Sequence, residues 1–173
     1  MATKSRSSDS ARMTETDNDN EALLRRSHRG ALVLVGAEIG ILFGAGAFSF
    51  NRLGRPPSSL SNEAAINLWV FVAFLAIGSI WLRRILGRPS QYTDLYLLGG
   101  VQKVVSRLFI NTVTVTAPVV AIALVGVLLS EQSRTFSDTA RITVLGGVVI
   151  IANAPRRGAW RSVVGACLAS KKS

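Results

Sequence analysis

The feature that most constrains this chain is a set of apolar stretches as long as a lipid bilayer is thick. Residues 31–50 contain one charged residue, Glu38, and residues 64–82 and 108–129 contain none. Stretches of about 19 to 22 residues extend about 28–33 Å as helices, which matches a hydrocarbon core of about 30 Å. They are apolar on every face, so they are not amphipathic surface helices. They predict three membrane-spanning helices.

A fourth apolar stretch, residues 142–154, is shorter at 13 residues. If its helix starts at Asp138, with Ser137 as N-cap, it is about 25 Å long, and the side chain of Arg141 extends toward the surface. Pro155 ends it. A stretch of this length is also typical of a re-entrant or buried core segment, so length alone does not decide whether it crosses.

The distribution of Lys and Arg favours a crossing. If all four stretches cross, one side holds sixteen of these residues, and the other holds four: Arg52, Arg55, Arg134 and Arg141. If the fourth does not cross, the split is eleven to nine. Cytoplasmic loops are enriched in Lys and Arg. We therefore predict an all-α bundle within residues 30–154, in a cell or inner membrane, with both termini cytoplasmic and four transmembrane helices: 31–50, 64–82, 108–129 and 138–154.

The composition agrees with this interpretation. Apolar residues make up 49% of the chain and charged residues 17%, below the roughly 25% charged residues of soluble domains. The net charge of +10 would suit a nucleic-acid binder. Here it is explained by the excess of Lys and Arg in the segments predicted to be cytoplasmic. The expected partner is therefore the bilayer and not nucleic acid. A single Cys excludes a disulfide scaffold.

The N-terminal tail, residues 1–29, is polar and holds six basic and five acidic residues. Such a composition buries little apolar surface, so we expect a disordered cytoplasmic tail. Arg25-Arg26 before the apolar run, and the small residues at 45–47, leave a cleaved twin-arginine signal of residues 1–47 as an alternative. The length of the run and the presence of Glu38 within it favour a retained first helix.

Two further segments show helical periodicity and are expected to be amphipathic helices in the cytoplasmic membrane interface. The first is the connector 83–107, with Gly99-Gly100 as a possible bend and partner docking as an alternative role. The second lies in the cytoplasmic tail 155–173, where Cys167 is expected to be a reduced thiol, with palmitoylation as the alternative. Their apolar positions are Leu95, Leu98, Val101, Val105 and Leu108 in the first, and Trp160, Val163, Val164, Cys167 and Leu168 in the second.

Few side chains are available for chemistry. The chain has one His and one Cys, and its His, Cys, Asp and Glu residues lack metal-ligand spacing. Nucleophile–base pairs inside the spans and phosphate-binding glycine motifs are also missing. We therefore expect a protein that is not an enzyme and that needs neither metal nor cofactor. His28 is interpreted as one more polar residue of a basic flank.

Glu38 is the exception, because it lies about 11 Å beyond Ala31 and so well inside the hydrocarbon. An isolated carboxylate is costly there, so Glu38 should face the bundle interior or water, or be protonated. Depth suggests an intramembrane polar cluster with Ser79 and with Thr112 and Thr116, which share a helix face. Two interpretations stay open: a proton or cation coupling site, or a polar contact between helices.

Gly36, Gly40 and Gly44 form a double G-x-x-x-G repeat, a glycine zipper, on the face nearly opposite Glu38. Small residues at this spacing let two helices approach closely in a membrane. We expect this stripe to pack against a partner helix, from either a second copy or another membrane protein.

The residues Ala37-Glu38-Ile39-Gly40, in the first of four helices, resemble the small multidrug-resistance transporters. The long inner connection, charged tails and strong orientation bias depart from that family, so membership is not assigned. The leading hypothesis is a non-enzymatic accessory or scaffold protein that acts through helix packing. The alternatives are a small proton- or cation-coupled transporter or channel that uses Glu38, and a holin-like pore former.

Overall fold

The computed structural model describes residues 5–51, 62–133 and 136–170, with side chains except at 5–17, 62, 89, 131–137 and 139. Every element in these ranges is an α-helix, which confirms the predicted all-α class. The loop 52–61, both termini and the N-cap side chain of Ser137 lie outside the described residues. The helices are α1 (Ser5–Asn51), α2 (Asn62–Leu86), α3 (Pro89–Thr116), α4 (Pro118–Ser133), α5 (Phe136–Asn153) and α6 (Arg157–Ser170).

Three helical stretches in the described ranges are long and apolar enough to cross a membrane: Asn18–Asn51, Glu63–Leu86 and Ser90–Ser130. They contain the whole of the first three predicted spans, 31–50, 64–82 and 108–129. The third stretch includes α3 and α4, which meet at Ala117. Pro118 has no N–H to donate to the carbonyl four residues earlier, so the backbone ladder is interrupted there. The fourth predicted span corresponds to α5, which is 18 residues long.

The chain divides into two compact units, each with its own apolar core. Unit 1 draws on Met1–Ala31, Pro89–Ile110 and Pro155–Ser173, and unit 2 on Leu32–Arg88 and Asn111–Ala154. Nearly all of the predicted membrane spans belong to unit 2. Most of the segments predicted to lie in the cytoplasm belong to unit 1.

In unit 2, helices α2, α4 and α5 pack on one another, and α1 adds Val35 and Leu42 to their core. Two glycines allow close approach inside this unit. A Cβ at Gly126 of α4 would lie 2.7 Å from Ile142 of α5, and one at Gly146 of α5 would lie 2.7 Å from Leu42 of α1. Both distances are shorter than real Cβ atoms show, so any larger residue at either position would force the neighbouring side chain to move. Glycine therefore permits the close contacts of α5 with α4 and with α1.

In unit 1, one apolar core joins side chains from α1, α3 and α6. It is built from Leu24 and Ala31 of α1, Tyr92, Val101, Val104, Val105 and Leu108 of α3, and Trp160, Val164 and Cys167 of α6. The apolar positions predicted for the C-terminal helix are all buried in this core or packed against it. Burial raises the pKa of the Cys167 thiol.

The tail predicted to be disordered is instead helical from Ser5 onward, as part of α1. Leu24 is only 2% exposed, within the core of unit 1. The carboxylate of Glu21 accepts hydrogen bonds from Arg157 and Arg161, more than 130 residues away in sequence. The composition of the tail alone predicts disorder, but these long-range contacts supply the burial and pairing that a local count omits.

The two amphipathic segments also differ from expectation, because their apolar faces cover one another and α1 within unit 1. Leu98, predicted to share a face with Val101 and Val105, is instead 72% exposed. The predicted bend explains the difference. Gly100 has φ 64° and ψ −162°, so the helix is broken between Leu98 and Val101 and the two sides no longer share one periodicity.

Candidate functional site

Glu38 of α1 is the centre of a polar cluster inside unit 2. Its side chain is 6% exposed, and Oε1 accepts a hydrogen bond from Thr116 Oγ1 of α3 at 2.8 Å. Thr116 is itself completely buried. The two residues are 78 positions apart in sequence, so the hydrogen bond joins two separate helices.

The Thr116 hydroxyl has one proton and two nearby acceptors. It lies 2.8 Å from Glu38 Oε1 and 3.0 Å from the carbonyl oxygen of Thr112, one turn earlier in α3. When Glu38 is charged, the Thr116 hydroxyl donates its hydrogen bond to Oε1, and the Thr112 carbonyl then receives none from this hydroxyl. A protonated Glu38 can donate to Thr116 Oγ1 while Thr116 donates to Thr112, which satisfies both contacts. The cluster therefore has one arrangement of hydrogen bonds for each protonation state of Glu38.

The second carboxylate oxygen, Glu38 Oε2, is buried and has no hydrogen-bond partner among the described residues. A buried carboxylate oxygen without a donor is costly if the group is charged. This atom leaves a place for a proton, a water molecule or a cation, and so does Asn153 Oδ1 of α5, which is also buried without a partner among the described residues.

Ser79 of α2 joins a second network beside the first. Its Oγ donates to the carbonyl oxygen of Val115 at 2.5 Å and accepts from Asn153 Nδ2 of α5 at 2.6 Å. Because Val115 precedes Thr116, the two networks lie on consecutive residues of α3. Of the four predicted residues, Glu38 and Thr116 bond directly, Thr112 contributes its carbonyl, and Ser79 belongs to the adjacent network.

Asn153 is a member of this site that sequence reasoning missed. It is 3% exposed and ends α5, so it links that helix to α2 through Ser79. The available signal was a lone amide side chain at the end of an apolar stretch, directly before Ala154 and Pro155. Such a position resembles an ordinary helix end, and only the neighbouring helix reveals its partner.

The glycine stripe lies open. A Cβ at Gly36, Gly40 or Gly44 would meet nothing within 4 Å among the described residues. Beside the stripe, α1 and α5 border a groove of about 470 Å³ lined mainly by apolar side chains, among them Phe43, Phe50 and Val144. The close contacts inside unit 2 use Gly126 and Gly146 instead. The stripe is therefore unused by the described part of this chain.

His28, interpreted from sequence as a plain flanking residue, is buried in unit 1. Its Nε2 lies 3.1 Å from the carbonyl oxygen of Pro155, and because a carbonyl only accepts, Nε2 carries the hydrogen. The ring also meets Trp160 edge-on, with centroids 5.5 Å apart. His28 thus ties α1 to the segment that precedes α6.

Among the described residues, His, Cys, Asp and Glu side chains do not form a group of three that could hold a metal ion. Comparisons with protein-family models, with curated proteins and with solved structures find no match to this chain. The arguments below therefore depend on the residues and their geometry.

Removing the Thr116 hydroxyl should expose the energetic link between the two helices. We expect Thr116→Val to lower stability in detergent micelles by about 0.6–1.7 kcal/mol, the range for interhelical hydrogen bonds in membrane proteins. In a double-mutant cycle with Glu38→Leu, the coupling energy should fall in the same range. Thr114→Val, at an exposed position of the same helix, is the matched control. Additive effects of the two changes would show that the hydrogen bond contributes nothing.

Proposed function

We propose that this protein is a multi-pass integral membrane protein with four transmembrane helices and both termini in the cytoplasm. Three helices of suitable length and hydropathy support the first three crossings. Helix α5, at 18 residues, is about 27 Å long, close to the thickness of the hydrocarbon core. The excess of Lys and Arg outside the spans on one side supports the orientation.

Single cysteines introduced into a Cys167→Ser background test this topology, because Cys167 is the chain's one native thiol. We expect Glu63→Cys, at the start of α2, to react with a membrane-impermeant maleimide in intact cells. Ser162→Cys, on the exposed side of α6, should react only after the membrane is permeabilised. Equal labelling of both positions in intact cells would contradict the topology.

We further propose that the protein is a non-enzymatic accessory or scaffold component that acts through helix packing. The open glycine stripe of α1 carries this proposal. The three glycines at four-residue spacing face no neighbour among the described residues. At Gly126 and Gly146, by contrast, apolar side chains occupy the space beside the glycine. Exposed glycine in a helix is unfavourable by itself, and close approach of another helix in a membrane compensates for it.

The apolar groove beside the stripe supports the same proposal. Phe43 and Phe50 stand exposed along α1, and Gly46 lies between them. A glycine surface with an aromatic ridge along one side suits a packed helix, because backbones approach at the glycines while the ridge packs at the side. A second copy of this chain or a different membrane protein supplies that helix.

Gly40→Leu should disrupt assembly through the stripe. Overpacking an interface costs about 1–3 kcal/mol, so we expect self-association or partner binding to weaken by about 5- to 150-fold. Energy transfer between labelled copies in liposomes measures self-association. Crosslinking with mass spectrometry in native membranes measures partner binding. Gly78→Leu, at an open glycine of α2, is the matched control. If both variants assemble as the wild type does, the stripe is not an interface.

A second candidate function is proton- or cation-coupled transport through Glu38. The observation that favours it is Glu38 Oε2, a buried oxygen without a partner among the described residues. The two hydrogen-bond arrangements of Thr116 would let one helix contact respond to the protonation of Glu38. Acids inside the membrane commonly belong to ion pathways.

Proton flux into liposomes separates the two functions. Glu38→Gln preserves the shape and the hydrogen bond to Thr116 but cannot release a proton. Transport predicts flux in the wild type that falls to the rate of empty liposomes in Glu38→Gln, while Glu63→Gln stays active. Scaffolding predicts the rate of empty liposomes in all three. Release of a trapped dye by every variant would instead favour the holin-like pore.

A further inference from the structure

Three arginine side chains converge on a single carboxylate oxygen in unit 1. Glu21 Oε1 accepts from Arg25 Nε at 3.2 Å and from Arg157 Nη2 at 2.6 Å, and Arg161 Nη2 donates to the same oxygen. We call Arg25, Arg157 and Arg161 the arginine cluster. One carboxylate faces three guanidinium groups, so the cluster keeps an excess of positive charge.

The cluster has more hydrogen-bond donors than acceptors. Each guanidinium carries five N–H donors, and the hydrogen bonds to Glu21 engage one donor of each. Arg157 Nε is buried and has no hydrogen-bond partner among the described residues. Arg157 and Arg161 lie one turn apart on α6, a spacing at which like charges repel. Glu21 relieves only part of this repulsion.

The position of Glu21 shows where an anion is held. Glu21 lies ten residues before the apolar stretch that begins at Ala31. Hydrogen bonding from Arg161, with further contributions from Arg157 and Arg25, lowers the pKa of its carboxyl to about 2, against the opposing effect of partial burial. The carboxyl is thus held as an anion by the positive potential of the cluster.

The cluster is accessible and lies near the depth of lipid headgroups. The side chains of Arg25, Arg157 and Arg161 are 57%, 41% and 52% exposed. Arg25 precedes Ala31 by six residues of continuous helix, about 9 Å. The headgroup region extends about 5–8 Å beyond the hydrocarbon on each side, within reach of a long arginine side chain.

Guanidinium groups suit phosphate, because their planar N–H donors pair with two phosphate oxygens at once. We propose that the arginine cluster binds the phosphodiester group of an anionic phospholipid in the cytoplasmic leaflet, beside Glu21. This site rests on the proposed topology, which brings unit 1 to the leaflet that is rich in anionic lipid. It would anchor α6 and the part of α1 around Glu21 and Arg25 to the membrane surface.

Lipid binding by the full chain in detergent micelles tests the proposal. Native mass spectrometry would measure the affinity for dioleoylphosphatidylglycerol, with dioleoylphosphatidylcholine as the neutral probe and sodium phosphate as the free anion. Phosphatidylglycerol should bind more tightly than phosphatidylcholine. Arg161→Gln and Arg25→Gln should each weaken its binding by about tenfold, the loss of one charge-assisted hydrogen bond to the phosphate.

Two further variants distinguish a site from diffuse charge. Arg26→Gln changes the net charge equally, but among the described residues Arg26 does not bond to Glu21. Its affinity should therefore stay within about twofold of the wild type, well short of the roughly tenfold loss of one charge-assisted hydrogen bond. Glu21→Gln removes the competing carboxylate, so it should bind phosphatidylglycerol as tightly or more tightly. Equal losses in Arg26→Gln and Arg161→Gln, or weaker binding in Glu21→Gln, would overturn the proposal.

The remaining outcomes are also decisive. Displacement of phosphatidylglycerol by millimolar phosphate would keep the anion site but overturn the lipid as its ligand. If the wild-type protein binds phosphatidylglycerol no more tightly than phosphatidylcholine while its helical circular dichroism and melting are intact, that result would overturn both the anion site and the lipid as its ligand. Binding in micelles does not depend on orientation, so failure here is distinct from failure of the topology, which the cysteine labelling reports separately.

Discussion

Hydrocarbon offers no hydrogen-bond partner to a polypeptide, and most of this structure follows from that constraint. A backbone inside a bilayer must satisfy its own N–H and C=O groups, which is why apolar stretches of this length form helices. The same constraint acts on side chains. Glu38 bonds to Thr116, and Ser79 bonds to both Val115 and Asn153, so that two polar networks hold α1, α2 and α5 to α3 within unit 2.

Glycine is used in two different ways along the apolar helices. At Gly126 and Gly146, the side chains of Ile142 and Leu42 occupy the space that a Cβ would take, so these two glycines serve the packing of unit 2 itself. The stripe at Gly36, Gly40 and Gly44 is left open on the same helix that carries Glu38 on another face. One face of α1 is therefore committed to internal polar contacts, and another is available for assembly. This division is what makes scaffolding the leading proposal.

The sequence predicted much of this architecture, but it did not identify partners. Periodicity located the apolar face of α6, and that of α3 except for Leu98, because 3.6 residues per turn leaves a local signature. It did not reveal that these faces cover each other. The tail was expected to be disordered because composition counts only nearby residues, and the contacts of Glu21 with Arg157 and Arg161 are far away in the chain. Asn153 and His28 were missed for the same reason.

By itself, the sequence determined the helical class, the positions of the three long apolar helices and the isolation of Glu38, because each depends on local length, hydropathy and charge. The tertiary structure decided which side chains meet. It placed Thr116 rather than solvent beside Glu38, brought three arginines to Glu21, and left one glycine stripe open while filling two other glycines. Those outcomes depend on contacts between residues distant in sequence, whose energies come from shape and pairing and leave no periodic signal in the chain.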